Sequence, residues 1–427
     1  MDARSALRWA GMTERVGRVA LAVMQGGDNC AGGASLAGGS ESSMLLALNP
    51  KSADTSGGDG LGRGPRREAG SGGVAGIDAV TTMISGVSRA FSDDIAIDLG
   101  TANTLVHVVG RGIIIDEPSV VAVQVRGGKR VMLAVGLKAK AMQGKTPEPI
   151  ELVRPMRDGV IADFIATEEM LRQFISRAKR LLGFRRPRIL ICVPAGATPV
   201  ERRAVYETAV SAGARKVYLI EEPVAASLGA GLPIDGPAAF MVVDIGGGTA
   251  DIAVLWKGHV VQARSLRVAG NAMDEAIMRH VRRQHGLVIG ESSAERIKIE
   301  AGTALAQSNG RHVEIHIKGR DLREGRFKTV VLGQRDMAEA LSGPVGEIAE
   351  FVQRALEDLT PEIADSVTRR GIVLTGGGAL LDRLDVALKE RVGAKFVLPE
   401  SPMHCVIKGT AAVLAELNER QHLLIGP

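Results

Sequence analysis

Aromatic residues make up only 3% of this 427-residue chain, and cysteine occurs three times, at Cys30, Cys192 and Cys405. With so few rings, any core must be aliphatic, and the 45% of hydrophobic residues can supply one. The cysteines are far apart and form no Cys-x-x-Cys pair, which argues against a thiolate metal cluster and for a reducing, cytoplasmic setting. Long apolar runs are also missing, for none reaches the roughly 18 residues a bilayer-spanning helix needs. The stretch Val19 to Met24 follows arginines but is too short, and lacks the cleavage site, for a secretory signal. A formal charge of +5 and a pI near 9.2 fit contact with an anionic membrane surface or with nucleic acid. No lysine- and arginine-rich stripe with interleaved aromatics is present, so nucleic acid is not an expected partner. The length itself predicts two to four packed units.

Two regimes follow one another along the chain. Residues 1–82 are crowded with small residues, as in AGGASLAGGSESS and TSGGDGLGRGPRREAGSGG. They cannot bury enough apolar surface to offset chain entropy, and a disordered extension is expected. From Ile95 the pattern becomes dense. Residues 94–123 read as a strand, a glycine turn and two further strands. A helix is expected to follow Thr167, with early acids at Glu168 and Glu169. Next come a strand over Arg188 to Val193, a helix entered at Pro199, and a strand-to-helix unit in RKVYLIEEPVAASLGAGL. At residue 239 the opening theme returns in AFMVVDIGGGTADIAVLWKGHVV. Asp98 and Asp244 hold the same place in two similar hairpins, which reads as an internal duplication of α/β halves. Any two hairpins look alike to some degree; the shared acid and glycine favour duplication.

The run DIGGGTAD, 244–251, states the chemistry most openly. Glycines let a backbone turn with φ > 0 and approach a ligand closely, and bare N–H groups in such a turn seat an anion. An aspartate there would repel phosphate unless a cation sits between them, which suggests a magnesium nucleotide. On this stretch alone a plain glycine-rich hairpin explains as much. In SSAERIKIEAGTA, Glu295 and Lys298 are three apart on one helical face, in isolation a solvated surface pair. GIVLTGGGALL, 371–381, repeats the strand-then-glycine device without an acid and so suits a neutral group such as adenine or ribose. Three such turns together are a stronger signal than any one.

The set resembles the actin-like ATPase superfamily. Within it, IAIDLGTANTLV, RPMRDGVIADF, ERRAV, VVDIGGGTADIAVL and GIVLTGGGALL resemble the MreB family of bacterial actin homologues, from about Met83 to the C-terminus. Residues 1–82 have no counterpart there; Met83 is the expected start, with a genuine disordered extension as the alternative. The resemblance implies an α/β actin-like ATPase fold with two duplicated domains around a nucleotide cleft: a short amphipathic segment 83–93, a first half 94–225, and a second half 226–427 that returns to the first near the C-terminus. It implies ATP and Mg²⁺ as cofactors. Thr101, Ala102 and Asn103 would form the first phosphate loop and Gly246, Gly247 and Gly248 the second. Asp98 and Asp244 would hold Mg²⁺ through water. Glu295, Arg296, Ile297 and Lys298 would line ribose and base, and Gly376, Gly377, Gly378 and Ala379 would close over the adenine. Glu222 and Thr249 would place the hydrolytic water, with Glu221 and Glu201 as structural or surface groups. Two departures from the family pattern stand out: Ala250 replaces a frequent second threonine and could soften the loop's hydrogen bonding, and Ala195 stands where serine is common.

The family further implies antiparallel double filaments on the inner face of the cytoplasmic membrane, slow ATP hydrolysis, and partnership with rod-complex membrane proteins and peptidoglycan synthesis enzymes. In AKRLLGFRRPR, 178–188, Leu181, Leu182 and Phe184 lie among Lys179, Arg180, Arg185, Arg186 and Arg188, a pattern suited to an anionic lipid surface or to a basic loop capping a helix. Ile84, Val87 and Phe91 could add a short interfacial anchor. The helix after Pro199, with Val200 near its start, corresponds to where family filaments pair. Chaperone-type and kinase-type relatives are the alternatives. The first is disfavoured because little chain follows the third glycine turn, the second because no general base for a substrate hydroxyl is evident.

Overall fold

The computed structural model describes residues 94–126, 129–142, 150–182, 186–306 and 313–427, which belong to one packed unit. The expectations for 1–82 and 83–93, and the side chains of Leu182 and Phe184, lie outside the described residues.

The first half opens with an antiparallel meander of β1 (Ile95–Leu99), β2 (Asn103–Val108) and β3 (Gly112–Pro118). A small sheet follows, from β4 (Val121–Arg126), β5 (Lys129–Val135) and β6 (Ile150–Val153), with helix α1 (Gly136–Ala141) after β5. A two-stranded ribbon, β7 (Met156–Arg157) and β8 (Val160–Ile161), leads into α2 (Phe164–Leu182). Then β9 (Arg188–Val193), α3 (Pro199–Ser211), β10 (Lys216–Glu221) and α4 (Glu222–Gly229) complete a parallel extension of the meander. The expected strand at 188–193 and the helix at Pro199 are present; Thr198 and Glu201 form a reciprocal cap at the latter. The helix expected after Thr167 begins at Phe164. Asp163, not Thr167, caps it through the Ala166 N–H at 3.0 Å, and Thr167 is buried with its hydroxyl turned back to the Asp163 carbonyl. Arg188 is not free to join a membrane-facing ring of cations, because Asp94 grips its guanidinium.

The second half repeats the plan. β11 (Ala239–Ile245), β12 (Ala250–Trp256) and β13 (His259–Leu266) form the meander, and α5 (Gly270–His285) follows. A small sheet of β14 (Leu287–Val288), β15 (Ile315–Asp321) and β16 (Phe327–Leu332), with α6 (Glu291–Ala301) after β14, is inserted before α7 (Gln334–Glu357) and α8 (Pro361–Arg370). β17 (Ile372–Thr375), α9 (Leu384–Val392) and β18 (Phe396–Val397) finish the sheet. The chain then returns: α10 (Cys405–Ala415) packs on α4 and β1, and β19 (Leu424–Ile425) pairs with β10. The large sheets read β3-β2-β1-β9-β10-β19 and β13-β12-β11-β17-β18, so β1 and β11 hold equivalent central places. Central strands covered on both faces must be apolar throughout. β11 is buried at all seven positions, and its one ionisable group, Asp244, lies at its C-terminal end.

Each half has its own aliphatic core, and a third core lies between them, built from Ala96, Leu190, Val224, Val242, Ile407 and neighbours. There α4 and α10 meet backbone to backbone. A Cβ on Gly229 would fall on the Cys405 carbonyl, and one on Gly409 on the Ala225 carbonyl. Gly409→Ala should therefore destabilise the protein by about 3 kcal/mol or more. Gly343→Ala, in α7 with open space beside it, should be neutral or stabilise by up to ~1 kcal/mol through helix propensity. Denaturant titration reads both; equal stabilities for the two variants would contradict the close contact.

Candidate functional site

The ends of β1 and β11 face one another across the shared core, and each runs into a tight turn. The turns touch. A Cβ on Gly247 would come within 2.7 Å of Ala102 Cβ, and one on Gly248 within 2.6 Å of Thr101 Oγ1 and 2.8 Å of Asp158 Cα. Thr101 is buried, and its hydroxyl accepts the Gly159 N–H at 2.9 Å. Asp158 and Gly159, both at positive φ, form the tip of the β7–β8 ribbon and brace both turns from the side. An Asp-Gly pair between two short extended segments is a hairpin signal, so this brace could have been found in the sequence.

The second turn is held from behind by α5. Gly270 and Asn271 donate their N–H groups to the carbonyls of Gly246 and Gly247, at 3.1 and 2.7 Å. In a trans peptide the C=O and the following N–H point in opposite directions. The N–H groups of Gly247 and Gly248 therefore point away from α5, and among the described residues neither finds an acceptor. Two adjacent free donors of this kind form an anion seat. Thr249 closes the turn by accepting the Gly246 N–H at 2.9 Å and is itself buried.

Four acids lie beside this seat. Asp98 keeps a partly open surface, and among the described residues no side chain donates to it. Burial, then the negative charges of Asp244 and Asp116, lift its pKa from 3.8 to about 7. Asp244 is buried and also raised to about 7 by burial, with the Thr375 hydroxyl, which donates at 2.6 Å, pulling the other way and Asp251 adding to the rise. Asp251 sits opposite Asp244 on β12 and rises to about 6 by burial, against the pull of the Thr249 and Ser265 hydroxyls and the Ala195 N–H at 2.9 Å. Glu222, at the start of α4, is pushed well up by burial and then by Asp251, Asp98 and Asp244. Mutual repulsion among buried carboxylates beside free N–H donors fits a divalent cation bridging to a polyanion. Magnesium's preference for oxygen donors and retained waters matches this set.

Asp251 ends the DIGGGTAD run but is a site residue that the motifs leave unassigned. Its signal is an acid in the interior of an otherwise apolar strand. Ala195 acts through its backbone, donating to Asp251, so the missing serine hydroxyl is not what the position uses. Ala250 is the first residue of β12, with its methyl group in the core. Glu201 serves the α3 cap, and Glu221 ends β10 half-buried, its pKa raised by burial.

The remaining predicted residues divide. Lys298 donates to the Gly270 carbonyl and to Asp274, both at 2.9 Å, and so ties α6 to the N-terminus of α5. Glu295 pairs with Lys140 of α1 at 3.1 Å rather than with Lys298, and Glu291 with Arg154 at 3.0 Å; both contacts link α6 to the first half. Arg296 is exposed against Glu300, and Ile297 is fully buried in the second core. Gly376, at φ +81°, and Gly378 lie so close to Ile245 that a Cβ on either would strike it; Gly377 borders open space, and Ala379 is buried. Ala102 is exposed and Asn103 begins β2.

The sequence profile of the MreB/Mbl protein family matches residues 92–422. The chain is 50% identical over 335 residues to cell shape-determining protein MreB of Escherichia coli K12, covering 78% of this chain and 96% of that protein. Among solved structures, MreB5 of Spiroplasma citri bound to ADP superposes with a TM-score of 0.71 at 34% identity, covering 77% of this chain and 97% of the other. The MamK double helical filament superposes at 0.63 with 21% identity, covering 75% and 98%, a likeness of fold. Both neighbours match the two-half architecture described above.

The acids make a pH-dependent liability. An unfolded aspartate releases its proton near 3.8 and folded Asp98 near about 7. Between these values the native state holds a proton the unfolded state has lost, so its stability falls as pH rises. In ligand-free protein, Asp98→Asn should raise the thermal midpoint by several degrees above the folded value and by little below the ordinary one. A larger gain at the acid end would refute the assignment.

Proposed function

The chain belongs to the MreB/Mbl family, and on that premise we propose that it is a nucleotide-dependent, membrane-associated, actin-like filament protein. It hydrolyses ATP, and its filaments determine rod cell shape by organising peptidoglycan elongation. The observation that carries this reading is the anion seat at Gly247 and Gly248 facing four carboxylates between two duplicated halves. A relative that binds ADP and others described as cell shape-determining support it.

In this reading the two turns hold the phosphates of ATP: Gly247 and Gly248 donate through their backbones, and Thr101, Ala102 and Asn103 close the other side. Asp98 and Asp244 hold Mg²⁺ through water, and the ion, when bound, neutralises the phosphates and relieves the acids' repulsion. Glu222 and Thr249 place the attacking water; a carboxylate of raised pKa is a better proton acceptor than an ordinary one. Asp251 orients Thr249 from below. Lys298, Glu295 and Arg296 are assigned to the ribose edge of α6, whereas Ile297, buried in the core, supports that helix from within, and Gly376, Gly377 and Gly378 border the base with buried Ala379 behind them.

Filament pairing and membrane contact complete the proposal. Phe164, Pro199, Val200, Arg203, Ala204, Glu207 and Pro427 line an open groove, and Val200 is 79% exposed at the start of α3. An apolar tip so exposed suits an antiparallel second copy. Among the described residues no helix is long and apolar enough to cross a membrane. Attachment is assigned to the basic stretch around Leu182 and Phe184, on the cytoplasmic face, where rod-complex membrane proteins and peptidoglycan synthesis enzymes would meet the filament.

Two experiments test this. Glu222→Gln should lower phosphate release from ATP by about 100-fold or more while a fluorescent ATP analogue still binds; unchanged turnover would remove Glu222 from the mechanism. In sedimentation, ATP-dependent pelleting should be lost in Val200→Glu, and capture by anionic liposomes should be lost in Leu182→Ser/Phe184→Ser. Pelleting that survives Val200→Glu would place the pairing face elsewhere.

A further inference from the structure

Away from the cleft, the C-terminal end of α5 meets the first turn of α7. One ring nitrogen each from His280 and His285 and a carboxylate oxygen of Asp336 lie within 4.8 Å of one another. His280 is 2% exposed, and among the described residues neither of its ring nitrogens has a hydrogen-bond partner; Nε2 of His285 is also buried and unpartnered. A neutral imidazole carries a proton on one nitrogen and a lone pair on the other. Native interiors rarely leave such atoms unpaired, and three together call for an ion or ordered solvent to complete them.

We propose that His280, His285 and Asp336 bind a divalent transition cation of the zinc type. Two imidazoles and a carboxylate are donors zinc accepts, whereas magnesium favours oxygen throughout. With metal–donor bonds of about 2.0–2.2 Å, tetrahedral donors stand roughly 3.4 Å apart. His280 Nε2 and Asp336 Oδ1 are 3.6 Å apart, close to that spacing, and the His285 donor, within 4.8 Å of the others, would have to close in on binding. Asp336 is already fixed, because its Oδ2 accepts the Gly333 N–H at 2.8 Å and leaves Oδ1 for the cation.

The surroundings match a ligating histidine. On the far side of His280, Nδ1 lies 4.0 Å from Glu339 Oε1, and that oxygen is held by Arg283 and Gln284 at 3.3 Å each. At 4.0 Å this is not a hydrogen bond, but it stands a carboxylate behind the second ring nitrogen, where such a group commonly orients a metal-bound imidazole. The position also has structural sense. α5 leads through Gly286, at φ +62°, into β14, and β16 leads into α7. A cation held by both helices pins the two chain crossings into the β14–β15–β16 sheet.

The test uses the full chain, stripped with chelator and titrated without nucleotide with Zn²⁺, and separately with Co²⁺ as a spectroscopic reporter. One equivalent should bind, raise the thermal midpoint and give the strong visible absorption of tetrahedral Co²⁺. His285→Asn and Asp336→Asn should each weaken binding at least about tenfold; both are conservative, and circular dichroism verifies that they fold. Absence of a bound equivalent, or binding indifferent to both substitutions, overturns the proposal. So does a cation lost only in Asp98→Asn/Asp244→Asn, which would place it in the cleft.

Discussion

The contact between α4 and α10, backbone on backbone at Gly229 and Gly409, sets the distance between the two large sheets. α4 begins with Glu222, and α10 packs on β1, the strand that carries Asp98. A wider helix pair would part the strand ends and separate the two glycine turns, which now touch at Gly247 and Ala102. The chemistry at the cleft floor thus depends on two missing side chains some distance from it. Close packing passes such a change on because interiors have little free volume to absorb it.

The duplication is a duplication of topology more than of chemistry. Asp98 on β1 lies opposite Leu105 on β2, whereas Asp244 on β11 lies opposite Asp251 on β12. On the parallel side Asp98 is in register with Cys192 and Asp244 with Thr375. Thr375 donates to Asp244, while the Cys192 thiol turns to the Ile97 carbonyl and Thr410. Of these two aspartates, Asp98 has no protein donor among the described residues and is the more available to a cation, and Asp244 is the one held in place. The second half also supplies the anion seat and the extra acid.

Much of this was legible in the sequence because it is local. Glycines after a strand, an apolar run ending in aspartate and a proline after threonine each act within a few residues, and the strand at 188–193 and helix α3 appear as read. What was missed depends on partners distant in sequence. Lys298 looked like the neighbour of Glu295, yet its partner is Asp274, and Glu295 reaches Lys140. Asp251 became significant only when β12 was set in register against β11. The start of α2 was misplaced because Asp163, five residues upstream of its first acids, supplied a cap that periodicity does not weigh.

The raised acids connect the fold's stability to its use. Each of Asp98, Asp244 and Asp251 titrates between about 6 and about 7 in the folded chain, so near neutrality the ligand-free cleft is an electrostatic liability. A ligand that binds only the folded state adds stability through that binding, and one that brings a cation also removes the repulsion. The halves share one core at α4 and α10, touch again at the two turns and through the Ala195–Asp251 hydrogen bond, and are also linked by exposed pairs such as Lys140–Glu295 and Arg154–Glu291. Exposed pairs contribute little, typically under about 1 kcal/mol each. The raised carboxylates are therefore the larger electrostatic contribution where the halves meet, and a ligand acts on them at the point where the two duplicated strands end.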